Sequence, residues 1–109
     1  MGVTKTENFT AIQNRIAALA KAIGHPARVA ILQEIINKQS CVCGDLVTEL
    51  PLAQATISQH LKALKEVGFI QGEIEGTSVC YCINESLWEE VKTIFDGFFN
   101  AFNANGKCC

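Results

Sequence analysis

Six cysteines in 109 residues are the side chains best suited to chemistry, and they come in pairs: Cys41 with Cys43, Cys80 with Cys82, Cys108 with Cys109. Thiolates are soft ligands and suit thiophilic ions. They can also switch by forming a disulfide or polysulfide link. The stretch from Met1 to Phe9 is polar and lacks the apolar segment of a secretory signal. The expected compartment is therefore the cytosol, where clustered cysteines point to metal or redox chemistry more than to structural disulfides. Cysteine and histidine together could make a nucleophile and its base. No feature of the sequence supplies an orienting acid or a substrate pocket, so an enzyme is not expected.

The elements that must position these thiols can be read from periodicity. A mass of 11.8 kDa, 49% hydrophobic and 18% charged residues describe one packed domain, residues 1–109. No run approaches the roughly 20 apolar residues of a membrane span. Phe9, Ile12, Ile16, Leu19 and Ile23 recur at spacings of three and four and predict a first helix, ended by Gly24. Pro26 suits the first turn of a second helix, with Val29, Leu32, Ile35 and Ile36 as its apolar side. Asp45 to Leu50 reads as a short third helix, closed by Pro51. Cys41-Val42-Cys43 sits at its entry, where a helix N-terminus favours the reactive thiolate.

A longer helix is expected from about Ala53 to Val67, with Ile57, Leu61 and Leu64 inward and Gly68 as its stop. The period then changes to two. Phe69 to Ile74 and Val79 to Ile83 read as strands of a hairpin turning at Glu75-Gly76-Thr77-Ser78. Cys80 and Cys82 share one strand face, where small apolar packing is the simplest reading. A last helix is expected from about Ser86 to Asn103. Its apolar residues, Trp88, Val91, Ile94, Phe95, Phe98, Phe99 and Phe102, cover more than one face, more than one small domain can bury. Gly97 and Ala101 form a small pair that either admits close helix approach or is merely tolerated. Residues 101–109 are expected to be a flexible tail carrying Cys108 and Cys109.

Mainly helical with one small hairpin, this order is a helix-turn-helix followed by a wing. In that motif the second helix lies in the major groove of duplex DNA. Gln54, Thr56, Ser58 and Gln59 are the residue types that read base edges or hold phosphates, and Lys62 and Lys65 can neutralise phosphate. Gly76 and Thr77 at the wing tip can offer backbone or hydroxyl hydrogen bonds. The net charge of −2 hides an asymmetry: seven basic and four acidic residues up to Lys65, then two basic and seven acidic.

Three segments carry a family resemblance: Gly24-His25-Pro26-Ala27-Arg28-Val29-Ala30-Ile31-Leu32, Leu52 through Lys65, and Gly68-Phe69-Ile70. Together they resemble the ArsR-type bacterial metalloregulators. The resemblance implies a winged-helix homodimer joined through its first and last helices. It also implies a repressor that leaves operator DNA when an inducer binds. Two positions depart from the pattern. Ala53 stands where relatives often carry a capping Ser, and the wing tip lacks the Arg many relatives show.

Cys41-Val42-Cys43 resembles the Cys-Val-Cys segment of the arsenic- and cadmium-sensing members. Where all ligands lie on this helix, a third Cys follows three residues later; here that position is Leu46. Trivalent arsenic takes three thiolates, so a further ligand must come from elsewhere. Cys108 and Cys109 are the expected donors. The expected inducer is arsenite or antimonite. The alternatives are Cd(II), Pb(II) or Zn(II) with four thiolates, and a thiol redox or persulfide sensor. The zinc site that other members carry on the last helix has no histidine here. His25 and His60 are expected to be structural or close to DNA.

Overall fold

A computed structural model describes residues 8–38, 50–75 and 78–103. Among these, four helices and one hairpin follow in the order α1 (Ala11–Ala22), α2 (Pro26–Lys38), α3 (Gln54–Val67), β1 (Ile70–Glu75), β2 (Ser78–Ile83) and α4 (Glu85–Asn100). The short helix expected at Asp45 to Leu50 lies outside the described residues. No helix among those described is long and apolar enough to cross a membrane.

Local chemistry explains most of the boundaries. Thr10 and Gln13 form a capping box at the start of α1: the Thr10 hydroxyl accepts from Gln13 N–H, and Gln13 Oε1 accepts from Thr10 N–H. The His25 Nδ1 accepts from Ala27 N–H at 3.0 Å, so an imidazole caps α2 just ahead of Pro26. Asn84 caps α4 by accepting from Leu87 N–H at 3.3 Å. Helix α3 starts without such help, because Ala53 makes no side-chain cap. It ends at Gly68, whose φ of 104° is left-handed backbone that a side chain would strain. The Leu64 carbonyl there accepts from both Gly68 and Phe69 N–H groups.

The core gathers one face from each helix and the base of the hairpin. Leu19 and Ala22, Ile31, Leu32 and Ile35, Ile57, Leu61 and Leu64, Phe69, Ile70 and Leu87 form one buried cluster. Full burial of each large side chain contributes about 1.5–3 kcal/mol. The inward stripe of α3 is the one expected. That of α2 is rotated: Ala27, Ile31, Leu32 and Ile35 are buried, while Val29 and Ile36 remain 42% exposed. Helix α4 stops at Asn100, three residues earlier than its apolar run suggested. Only Leu87 of α4 is fully buried, and Phe98, Phe99 and Phe102 are 55%, 67% and 74% exposed.

The hairpin is antiparallel with unbroken register, from Ile70 opposite Ile83 to Glu75 opposite Ser78. Helix α2 packs on β2, and α3 packs on β1. The wing therefore rests on both α2 and α3. An Arg15–Glu90 pair at 3.1 Å joins α1 to α4, and at its exposure it contributes at most about 1 kcal/mol.

The missing cap generates a prediction. Ala53→Ser should raise stability by about 1 kcal/mol, read as a higher urea midpoint with unchanged slope. An unchanged midpoint would mean that the first turn of α3 gains nothing from a hydroxyl.

Candidate nucleic-acid interface

Burying Ile57, Leu61 and Leu64 turns the rest of α3 outward. Gln59 and Lys62 lie opposite that buried stripe and are exposed. Gln54, Ser58 and Lys65 are exposed beside them. Thr56 is half-buried, on the other flank of the helix. One helix surface thus gathers amide, hydroxyl and ammonium groups that can donate to base edges and phosphates. Glu66, four residues after Lys62, is exposed on the same surface and adds a negative charge near its C-terminal end. The expected contacts Gly76 and Thr77 lie outside the described residues. So do Cys41, Cys43, Cys108 and Cys109.

A polar cluster behind this surface fixes α3 to the scaffold. Arg28 Nε donates to His60 Nδ1 at 3.1 Å, and Arg28 Nη1 donates to the Ala22 carbonyl at 2.9 Å. One guanidinium thereby ties the end of α1, the start of α2 and the middle of α3. The His25 and His60 rings lie 4.5 Å apart at 48°. As an acceptor through Nδ1, His60 must be neutral, with its proton on Nε2. Desolvation, then the nearby His25 and Arg28 charges, lower the His60 pKa below its ordinary value. Sequence reading placed both histidines near structure or DNA. It missed Arg28, whose signal was a cation in the first turn of a helix, where the helix dipole disfavours positive charge.

Two apolar grooves lie away from this surface. One, of about 470 Å³, runs between α1 and α4 and is lined by Ile12, Ile16, Ala17, Ile94, Gly97 and Phe98 among others. A Cβ at Gly97 would meet nothing within 4 Å, so within the chain this glycine permits no close helix contact. The other, of about 320 Å³, lies between α2 and α4 beside Val29, Ile36 and Trp88. Among the described residues no three of His, Cys, Asp and Glu gather closely enough to hold a metal ion. Cys80 is 1% exposed, and Cys80 and Cys82 are both disulfide-bonded.

Helix-turn-helix, polar outer helix face and hairpin together define a winged-helix DNA-binding regulator. The comparisons with known proteins specify it further. Residues 25–71 match the model of the bacterial regulatory protein, arsR family. An uncharacterised HTH-type transcriptional regulator of Methanocaldococcus jannaschii is 35% identical over 82 residues, 73% of this chain and 91% of that protein. The chain belongs to the ArsR family and is a transcriptional regulator, not an enzyme. The HTH-type transcriptional repressor SmtB of Mycobacterium tuberculosis is 41% identical over 63 residues, 58% of this chain but only 46% of that repressor. An ArsR-like transcriptional regulator from Rhodococcus sp. RHA1 has the same fold, with a TM-score of 0.71 at 19% identity over 84% of this chain and 86% of that one.

The depressed His60 pKa fixes a pH dependence. The unfolded chain binds this proton more readily, so the neutral imidazole stabilises the fold above about pH 6.5. That contribution is lost as pH falls below 6.5 through the lower folded value. Urea midpoints should drop between pH 7.5 and 5.5 in the wild type and drop less in His60→Gln. Equal drops in both proteins would place the pH sensitivity elsewhere.

Proposed function

We propose that this chain is a homodimeric repressor that releases its operator when arsenite or antimonite binds cysteine thiolates. The observation that carries the reading is Cys41-Val42-Cys43, set immediately ahead of the helix-turn-helix in a member of the ArsR family. An ion gripped there acts on the element that positions α3 against DNA. Cys41 and Cys43 supply two thiolates, and the sequence offers Cys108 and Cys109 for a third. The DNA contacts are Gln54, Thr56, Ser58, Gln59, Lys62 and Lys65 on α3, with Gly76 and Thr77 at the wing. A duplex operator and a cytoplasmic location complete the proposal. Cd(II), Pb(II) or Zn(II), and a thiol oxidant or polysulfide, are the competing inducers.

Fluorescence anisotropy of labelled operator tests the inducer. Arsenite should weaken operator affinity by about 5- to 150-fold, the range of ordinary allosteric coupling. Cys41→Ser/Cys43→Ser should bind operator and fail to respond. Release by polysulfide or diamide but not by arsenite would reassign the protein as a thiol redox sensor.

The homodimer reading rests on the apolar surplus of α1 and α4. Exposed Phe9, Ile12, Phe98, Phe99 and Phe102 accompany the α1/α4 groove, whose wall includes Gly97. A second copy laid across these helices would cover them. Sedimentation should show a dimer for the wild type and a species of 11.8 kDa for Phe98→Ser/Phe99→Ser. A wild-type monomer at tens of micromolar would remove the dimer from the proposal.

A further inference from the structure

Helix α3 carries most of the side chains proposed to meet DNA, yet little directional chemistry fixes it. Its first turn has no side-chain cap. Its buried residues, Ile57, Leu61 and Leu64, are apolar and hold it without specifying its rotation. Among the described residues, one side-chain hydrogen bond joins α3 to another element: Arg28 Nε donates to His60 Nδ1 at 3.1 Å. The same guanidinium holds the Ala22 carbonyl of α1 at 2.9 Å. This link exists in one protonation state of His60. A neutral imidazole with its proton on Nε2 accepts at Nδ1, whereas an imidazolium is a donor at both nitrogens. Protonation would set N–H against N–H and one cation against another.

The surroundings of His60 sharpen that contrast. Among the described residues, the charges that act on it are those of His25, in the turn before α2, and Arg28, on α2. The other elements packed on α3, namely α1 and β1, add none there. Burial, then these two cations, hold the His60 pKa below its ordinary 6.5. The neighbouring His25 ring, 4.5 Å away, is itself committed, because its Nδ1 accepts from Ala27 N–H and caps α2.

We propose that Arg28 and neutral His60 are positioning residues for operator binding: their hydrogen bond sets the rotation of α3 that presents Gln59 and Lys62 to DNA, and protonation of His60 withdraws it. Both roles rest on the reading of α3 as the helix that contacts DNA, and neither depends on which inducer binds. Arg28 and His60 act through α3 and touch no DNA themselves. The sign of the pH effect is diagnostic. A histidine that contacts DNA gains affinity on protonation, because an imidazolium attracts phosphate. A histidine that positions α3 as an acceptor loses affinity instead. One proton from solvent goes to Nδ1, the Arg28 hydrogen bond breaks, and no covalent bond between heavy atoms changes. Operator and proton then compete for the same protein. A single group whose pKa lies below 6.5 limits the loss between pH 7.5 and 5.5 to about 10-fold.

The test uses the full-length protein with thiophilic ions removed. The probe is a fluorescent duplex that the wild type selects from a random-sequence pool at pH 7.5, and anisotropy is read at constant ionic strength. Wild-type affinity should fall by about 3- to 10-fold from pH 7.5 to 5.5, while circular dichroism shows the chain still folded. His60→Asn places an amide oxygen where Nδ1 stands and does not titrate. It should match the wild type at pH 7.5 and keep that affinity at pH 5.5. Arg28→Lys keeps the charge but loses the planar fork, so it should bind more weakly at pH 7.5 and lose nothing further in acid. If Arg28→Lys does not fold, His60→Leu, which keeps bulk without an acceptor, takes its place. His25→Asn preserves the α2 cap and should keep the acid loss. An affinity that rises or stays level in acid would overturn the proposal. So would an acid loss that His60→Asn retains, that His25→Asn abolishes, or that follows the unfolded fraction. If the wild type selects no duplex at pH 7.5, the proposed function itself fails. If it binds one with equal affinity at both pH values, the proposed function stands and the positioning role falls.

Discussion

The position of α3 depends on one guanidinium. Arg28 holds the last carbonyl of α1 with one nitrogen and His60 in the middle of α3 with another. Apolar packing of Ile57, Leu61 and Leu64 supplies most of the energy that keeps α3 on the scaffold, but such contacts are not directional. A planar donor with two fixed partners adds what the core lacks, a defined rotation and height of α3 against α1 and α2. Gln54, Ser58, Gln59, Lys62 and Lys65 inherit their placement from that. The neutral state of His60 belongs to the same device, because a protonated Nδ1 could no longer accept from Arg28.

The parts of the fold legible in sequence are those where a single physical signal dominates. The inward stripe of α3 and its stop at Gly68 follow from helical spacing and from glycine's tolerance of positive φ. The hairpin follows from the change of period. The outer face of α3 follows by subtraction. Less legible were positions where two apolar faces compete. On α2, Val29 and Ile36 match the apolar pattern as well as Ala27 and Ile31 do, and only the placement of α3 and β2 decides which pair is buried. The aromatic run after Phe95 argued for a helix to Asn103. It ends at Asn100, where Phe98, Phe99 and Phe102 are mostly exposed and Phe99 meets the rings of Phe95 and Phe98 on its own helix.

Polar clusters were the least legible part of the site. His60 lies 32 residues from Arg28, and no spacing rule links a helix cap to a residue on another helix. The cysteines show a related limit. Cys80 and Cys82 fit small apolar packing when read on the strand alone. The burial of Cys80 agrees with that reading, but the disulfide bonding of both sulfurs is not visible in strand alternation.

An apolar ridge left outside the core ties folding to mass action. In the proposed dimer, the second copy that covers Phe98, Phe99 and Phe102 binds the native chain and not the unfolded one, and so adds its binding free energy to stability. The melting temperature of this protein should then depend on how much of it is in the tube. In a cell, dilution would lower both the amount of regulator and the folded share of what remains. A steeper dependence of occupancy on expression level follows than a self-sufficient monomer would give.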